Sequence, residues 1–193
     1  MNPKPNFEYY RAFLQAGADT LESYLLSKEL FWPLGIPSPP GQTYPMLTLG
    51  ELLLFSRCAS ALARVEGQET AYHKLQTQLD AQRTRWRVAW GQKASWEYKS
   101  RLRQWGESIN EIRRDPAENA PYYRTEARLR TFLQVIEPDV IGLDPAHSEH
   151  LHSLDLILQS LLEPGDFIWH PDVSSAFPRD EFWFLWGLPR QTA

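Results

Sequence analysis

The chain has 193 residues with 20 lysine or arginine and 24 aspartate or glutamate residues, giving a net charge of −4 that excludes a strong overall attraction to nucleic acid or to anionic membranes. This length suits one domain with a substantial core, and the single cysteine, Cys58, excludes an internal disulfide. No apolar run approaches the roughly 20 residues of a membrane span, so we expect a cytoplasmic protein without membrane association.

The first predicted helix spans residues 6–28, where Asn6 is the candidate N-cap and apolar residues recur at helical spacing. Residues 29–47 contain five prolines and two glycines. Each proline removes a backbone donor and restricts the residue before it, so this segment cannot be helical. We expect it to cross the surface of the domain as a proline-rich connection.

The next region, residues 48–115, contains none of the fifteen prolines of the chain. Thr48 and Glu51 have the spacing of a capping box at its start. Apolar residues then follow at helical spacing to the end of the region, with a predicted break near Gly67. We expect this long helical region to be the central element of the fold.

A change of the buried face is predicted in the middle of this region. Four successive apolar steps of four residues, from Trp86 to Leu102, rotate the apolar stripe around a straight helix. Gly91 lies inside this window. The pattern therefore predicts a kink near Gly91, a local irregularity or a change of packing partner.

Two further helices are predicted over residues 118–137 and 146–163. In the helix over 118–137, Glu126 and Arg130 have the four-residue spacing of a favourable ion pair. The last segment, residues 164–193, is aromatic and is predicted to be an irregular cap. A short helix from Pro178 to Trp186 is expected within it, because no other segment has the pattern of a strand partner.

Together these elements predict an all-α fold in one domain covering residues 1–193. The expected architecture is an elongated bundle of four or five helices around one long, kinked central helix. The proline-rich connection and the aromatic C-terminal segment would then pack against the bundle.

A candidate metal site lies near the start of the helix predicted over residues 146–163. Glu149, His152 and Asp155 follow one another at three-residue spacing, so their side chains share one helix face and could hold a divalent ion. The alternative is a polar first turn with acids near the positive end of the helix. We predict no cofactor, and we retain a metal-dependent enzyme of the helical-bundle type as an alternative function.

A candidate anion-binding segment covers residues 83–105, where aromatic residues interleave with seven basic residues. Cations and aromatic faces together bind single-stranded nucleic acid. The alternative is structural, with the tryptophans in the core and the bases solvated or facing residues 137–181, which contain ten acids and one base. The seven basic residues are Arg83, Arg85, Arg87, Lys93, Lys99, Arg101 and Arg103.

The aromatic C-terminal segment supplies a third candidate site. Phe182, Trp183 and Trp186 either fold back over the helices or form an exposed patch for a partner chain. No motif in the sequence specifies a catalytic activity. We therefore expect a non-catalytic interaction or scaffold protein that binds a protein partner or a second copy of itself as a homodimer, with binding of nucleic acid or another polyanion as the alternative.

Overall fold

The computed structural model describes residues 6–190. This part of the chain is mostly helical, which confirms the predicted helical class. None of its helices has the length and apolar content that crossing a membrane requires. The helices are α1 (Phe7–Leu26), α2 (Leu49–Glu66), α3 (Glu69–Arg85), α4 (Arg87–Arg114), α5 (Pro116–Asn119), α6 (Tyr123–Ile136) and α7 (Pro145–Leu161), and the strands are β1 (Leu162–Phe167) and β2 (Trp186–Pro189).

Side-chain hydrogen bonds cap the N-termini of α1 and α2. The Asn6 side chain accepts a hydrogen bond from the Tyr9 backbone N–H at 2.9 Å, and Thr48 accepts one from the Glu51 N–H at 3.1 Å. The Glu51 carboxylate does not complete a capping box, because it pairs with Arg128 at 2.6 Å. α2 is thus tied at its first turn to α6.

The two ends of the proline-rich connection pair with each other. Trp32 and Leu47 form an isolated antiparallel bridge, with N–O distances of 3.0 and 2.7 Å. The prolines between them lie in the intervening loop, where their missing donors disrupt no ladder. This bridge holds the loop next to the start of α2.

The region 48–115 is divided into three helices. Gly67 ends α2 in the left-handed conformation (φ 66°), which a residue without a Cβ adopts at little cost. A second interruption lies at Trp86, at the start of the predicted window, whereas Gly91 lies within α4. The helices on either side of Trp86 differ in their main packing partners: α3 packs on α1 and α2, and α4 packs chiefly on α6 and α7.

The core lies where these helices meet, and α2 contacts α1, α3, α4 and α6. Its largest fully buried side chains are aromatic and include Trp105, Tyr24, Tyr98 and Tyr123. Gly50 lies in the first turn of α2, where an added Cβ would lie 2.9 Å from the Phe132 ring. A side chain at this position would therefore separate α2 from α6.

The predicted helix from Pro178 to Trp186 is wrong. After a short 3-10 turn at Trp183–Leu185 the chain extends as β2 and pairs antiparallel with β1, with an irregularity between Pro164 and Phe167. Pro164 lies within β1, and a proline is compatible with an edge strand because one side of such a strand needs no donor. Residues 191–193 of the predicted aromatic segment lie outside the described residues.

Candidate functional site

An open cleft of about 820 Å³ lies between α1, the proline-rich loop, α2, α6 and the segment that follows β1. Its volume falls in the range of roughly 300 to 1,000 Å³ that is typical of ligand-binding pockets. A second recess of about 340 Å³ shares Tyr9, Thr43, Phe55 and Arg128 with it. We call these two adjoining recesses the α1–α6 cleft.

One wall of the cleft joins α1 to the proline-rich loop. The Tyr9 ring stacks on the Tyr44 ring, with centroids 4.8 Å apart and an interplanar angle of 19°. The Tyr9 hydroxyl donates to the Thr43 carbonyl oxygen at 3.0 Å. Because the Asn6 cap fixes the first turn of α1, these contacts hold the loop against a defined helix end.

The facing wall joins α6 to the segment after β1. The Trp169 indole N–H donates to the Arg124 carbonyl oxygen at 2.8 Å, and the Arg124 guanidinium donates to the Ile168 carbonyl oxygen. These reciprocal contacts tie the Trp169 indole to the backbone of α6 and the Arg124 guanidinium to the segment after β1. Arg128 lies one helical turn further along α6 and lines both recesses.

Of the two arginines that line the cleft, one has an ion-pair partner among the described residues. Arg128 is paired with Glu51, but Arg124 forms no ion pair within the described part of the chain. His170 also lines the cleft; its Nδ1 accepts a hydrogen bond from the Asp172 N–H at 3.3 Å and lies 3.7 Å from the Asp172 carboxylate. The guanidinium groups of Arg124 and Arg128 and the Glu51 carboxylate therefore line the cleft. The Asp172 carboxylate lies beside the His170 imidazole.

Cys58 and Tyr10 lie at the base of the cleft. Burial raises the pKa of the Cys58 thiol to about 12, and burial likewise raises the pKa of the Tyr10 hydroxyl. Both groups are therefore protonated at neutral pH, and only a thiolate is an effective sulfur nucleophile. The cleft is better equipped to bind than to attack a ligand.

The predicted metal-site residues do not form a ligand cluster. Glu149 and His152 are exposed on α7, and the Asp155 carboxylate accepts two hydrogen bonds from Arg130, at 2.9 and 2.8 Å. Residues 6–190 contain no group of three or more histidine, cysteine or acidic side chains arranged to hold a metal ion. Asp155 is instead half of an ion pair between α7 and α6.

Three of the predicted anion-binding residues are engaged within the protein. Arg83 pairs with Asp139, Arg101 pairs with the buried Glu97 at 3.2 Å, and Lys93 donates to the Ser27 carbonyl oxygen at 2.9 Å. The other four are exposed and form no ion pair in the described part of the chain: Arg85, Arg87, Lys99 and Arg103.

The predicted partner patch is divided between the core and the surface. Phe182 is fully buried and therefore does not contribute to an exposed patch. Trp183 and Trp186 are half-buried, and the Trp186 indole donates to the Phe177 carbonyl oxygen at 3.1 Å. Because the segment folds onto α6, these rings pack mainly inside the protein.

The indoles of α4 do not all face inward. Trp90 and Trp105 are buried, as the apolar stripe predicts, but Trp96 is 45% exposed. The Trp96 ring lies 5.5 Å from the Lys93 ammonium group. An exposed indole beside the exposed bases gives α4 a basic aromatic face.

The α1–α6 cleft is not evident from the sequence pattern. Arg124 and Arg128 have the four-residue spacing that places two cations on one helix face, which is the one local signal for it. Tyr9 and Trp169 reach the cleft only through the tertiary fold. No family model, curated protein or solved structure matches this chain significantly.

Proposed function

We propose that the protein is a non-catalytic interaction domain that binds a short, extended segment of a partner protein in the α1–α6 cleft. The observation that carries this proposal is the set of residue types that line the cleft. Tyrosine, tryptophan and arginine are the three residue types enriched at binding hot spots. The cleft is lined by five residues of these types: Tyr9, Tyr10, Trp169, Arg124 and Arg128.

The shape of the cleft favours an extended ligand. Its two recesses adjoin each other and are both lined in part by the proline-rich loop, with volumes of about 820 and 340 Å³. An extended peptide presents alternate side chains to successive pockets. Two recesses that share a wall at Tyr9 and Phe55 suit two such side chains.

Titration of isotope-labelled protein with a degenerate mixture of tetrapeptides tests this proposal by nuclear magnetic resonance. Each tryptophan gives one indole N–H signal, and the Trp169→Phe variant identifies the signal of the cleft. We expect peptides to shift the Trp169 signal and to leave the signal of Trp96, which lies outside the cleft lining, unchanged. An unchanged Trp169 signal at millimolar peptide contradicts the proposal.

A second candidate function, polyanion binding, is supported by the basic aromatic face of α4. Lys99 and Arg103 are exposed without ion-pair partners in the described chain, and Trp96 is exposed between them and the start of the helix. Cations bind phosphate or sulfate groups, and an exposed indole can stack on a base. Self-association as a homodimer stays a prediction, which light scattering tests.

A further inference from the structure

We infer that the segment bound in the α1–α6 cleft carries an anionic side chain two residues away from an aromatic one, with Arg124 receiving the anion and the Trp169 ring receiving the aromatic group. This inference rests on the proposed function and specifies its ligand. It follows from the charges of the cleft, from the donors that Arg124 retains and from the fixed position of the indole.

The charges of the cleft leave one cation available. The Arg128 guanidinium lies 2.6 Å from the Glu51 carboxylate and is largely neutralised by it. Arg124, in contrast, forms no ion pair among the described residues, and the Asp172 carboxylate lies 3.7 Å from His170 Nδ1. Arg124 therefore offers an unneutralised positive charge at the wall of the cleft.

Arg124 also retains hydrogen-bond donors. An arginine has five N–H donors in a planar fork, and in the described contacts this side chain donates only to the Ile168 carbonyl oxygen. That contact leaves donors for a carboxylate or a phosphate, which accept two parallel bonds from such a fork. The same contact fixes the guanidinium, so less conformational entropy is lost on binding.

The indole beside Arg124 is held in place before a ligand binds. Its N–H is occupied by the Arg124 carbonyl oxygen at 2.8 Å, and its ring packs edge-on against the buried Phe177 ring with centroids 5.4 Å apart. The ring is nevertheless only half-buried. Since the polar N–H is already used, the accessible ring surface suits an aromatic side chain.

The same chemistry can come from a carboxylate or from a phosphorylated residue, and three peptides distinguish these sources. They are acetyl-Glu-Gly-Phe-Gly-amide, acetyl-phosphoserine-Gly-Phe-Gly-amide and the neutral acetyl-Gln-Gly-Phe-Gly-amide, in which the first and third side chains of the extended peptide lie on one face. Binding is measured through the shift of the Trp169 indole signal. We expect at least one anionic peptide to bind about tenfold more tightly than the neutral peptide, because it forms a charge-assisted bond.

Variants locate this preference at Arg124. Arg124→Gln should abolish the preference, whereas Arg124→Lys, which keeps the charge, should retain part of it. Arg103→Gln removes the same charge from an exposed position outside the cleft lining and should leave the preference unchanged. The indole signals of the other tryptophans show whether each variant remains folded.

The outcomes separate this inference from the proposed function. Equal binding of the three peptides, or a preference that survives in Arg124→Gln, overturns the inference while the proposed function stands. If none of the peptides, nor the degenerate mixture, shifts the Trp169 signal, both fail. Tighter binding of the phosphoserine peptide alone, or of the glutamate peptide alone, identifies the source of the anion.

Discussion

Two buried tyrosines differ in what their hydroxyl groups contact. The Tyr123 hydroxyl donates to the Phe184 carbonyl oxygen at 2.6 Å, which joins α6 to the segment before β2. The Tyr98 hydroxyl, on α4, is buried without a hydrogen-bond partner among the described residues. Burial raises the pKa of both hydroxyls, so both are protonated donors at neutral pH.

We expect Tyr123→Phe to lower the free energy of unfolding by about 1 to 3 kcal/mol, because it leaves a buried carbonyl oxygen unpaired. Tyr98→Phe removes a hydroxyl of the same kind and should change that free energy by less than about 0.5 kcal/mol. Urea unfolding followed by tryptophan fluorescence measures both. Equal losses in the two variants would show that the Tyr123 contact adds no stability.

A buried ion pair connects stability to pH. The Glu97 side chain is fully buried, accepts hydrogen bonds from Arg101 and from the Gly50 N–H at 3.1 Å, and lies between α4 and α2. Burial raises its pKa above the ordinary 4.5, and Arg101 opposes this shift. Removing one partner of such a pair costs about 3 to 5 kcal/mol, since the other charge remains buried.

We therefore expect Arg101→Leu to be strongly destabilised and to lose more stability as the pH rises. Without the guanidinium the folded pKa of Glu97 rises further, so from pH 4.5 upward the folded state binds more protons than the unfolded state. The free energy of unfolding must fall through that interval. Urea unfolding at about pH 5 and pH 8 measures this fall.

The double variant Glu97→Gln/Arg101→Leu is the control, because other carboxylates titrate over the same interval. It lacks the buried acid and should recover part of the stability at the higher pH. It should also show a weaker pH dependence than Arg101→Leu. Identical pH profiles for the two variants would contradict the assigned role of Glu97.

The packing of α2 on α6 depends on a glycine. A Cβ at Gly50 would lie 2.8 Å from a Glu97 carboxylate oxygen and 2.9 Å from the Phe132 ring, whereas one at Gly106 would lie no closer than 3.5 Å to its nearest neighbour. We expect Gly50→Ala to destabilise the protein by about 1 to 3 kcal/mol through overpacking. Gly106→Ala should be neutral or stabilising by up to about 1 kcal/mol.

Thermal unfolding of the two alanine variants measures this difference. Both substitutions add the same methyl group to a buried position in a helix. Their different effects can then be attributed to the space at each site. A Gly50→Ala variant as stable as Gly106→Ala would show that α2 and α6 can separate at little cost.

The helices were more predictable from sequence than the strands. Local signals place helix ends: Asn6 and Thr48 act as caps, and Gly67 ends α2. The paired residues of β1 and β2 lie 19 to 27 residues apart along the chain, and β1 contains Pro164 and Gly165. Tertiary contacts outweigh the unfavourable strand preferences of these two residues, and a sequence pattern does not show such contacts.

The candidate site was less predictable from sequence than either the helices or the strands. Tyr9, Thr43, Arg124 and Trp169 lie on four separate segments, so no local spacing relates them. The predicted ion pair of Glu126 with Arg130 likewise shows that local spacing does not determine which partner a side chain contacts. Arg130 pairs with Asp155, and Glu126 instead accepts a hydrogen bond from Ser108, because tertiary partners replace the neighbour along the helix.

Across the whole molecule, the basic and acidic segments neutralise each other only in part. Among the described residues, the one ion pair between residues 83–105 and 137–181 joins Arg83 to Asp139. The remaining exposed bases of α4 keep their charge facing solvent. A protein with net charge −4 therefore retains a local basic face that can attract a polyanion at low salt.

We expect the protein to bind heparin at low salt through this face. Lys99→Gln/Arg103→Gln should elute from a heparin column at lower salt than wild type, because two fewer cations reduce the salt dependence of binding by about two counterions. Arg64→Gln/Lys74→Gln removes two exposed cations from α2 and α3 and serves as the control. If both double variants elute alike, the retention is nonspecific, and if wild type is not retained, polyanion binding by α4 is excluded.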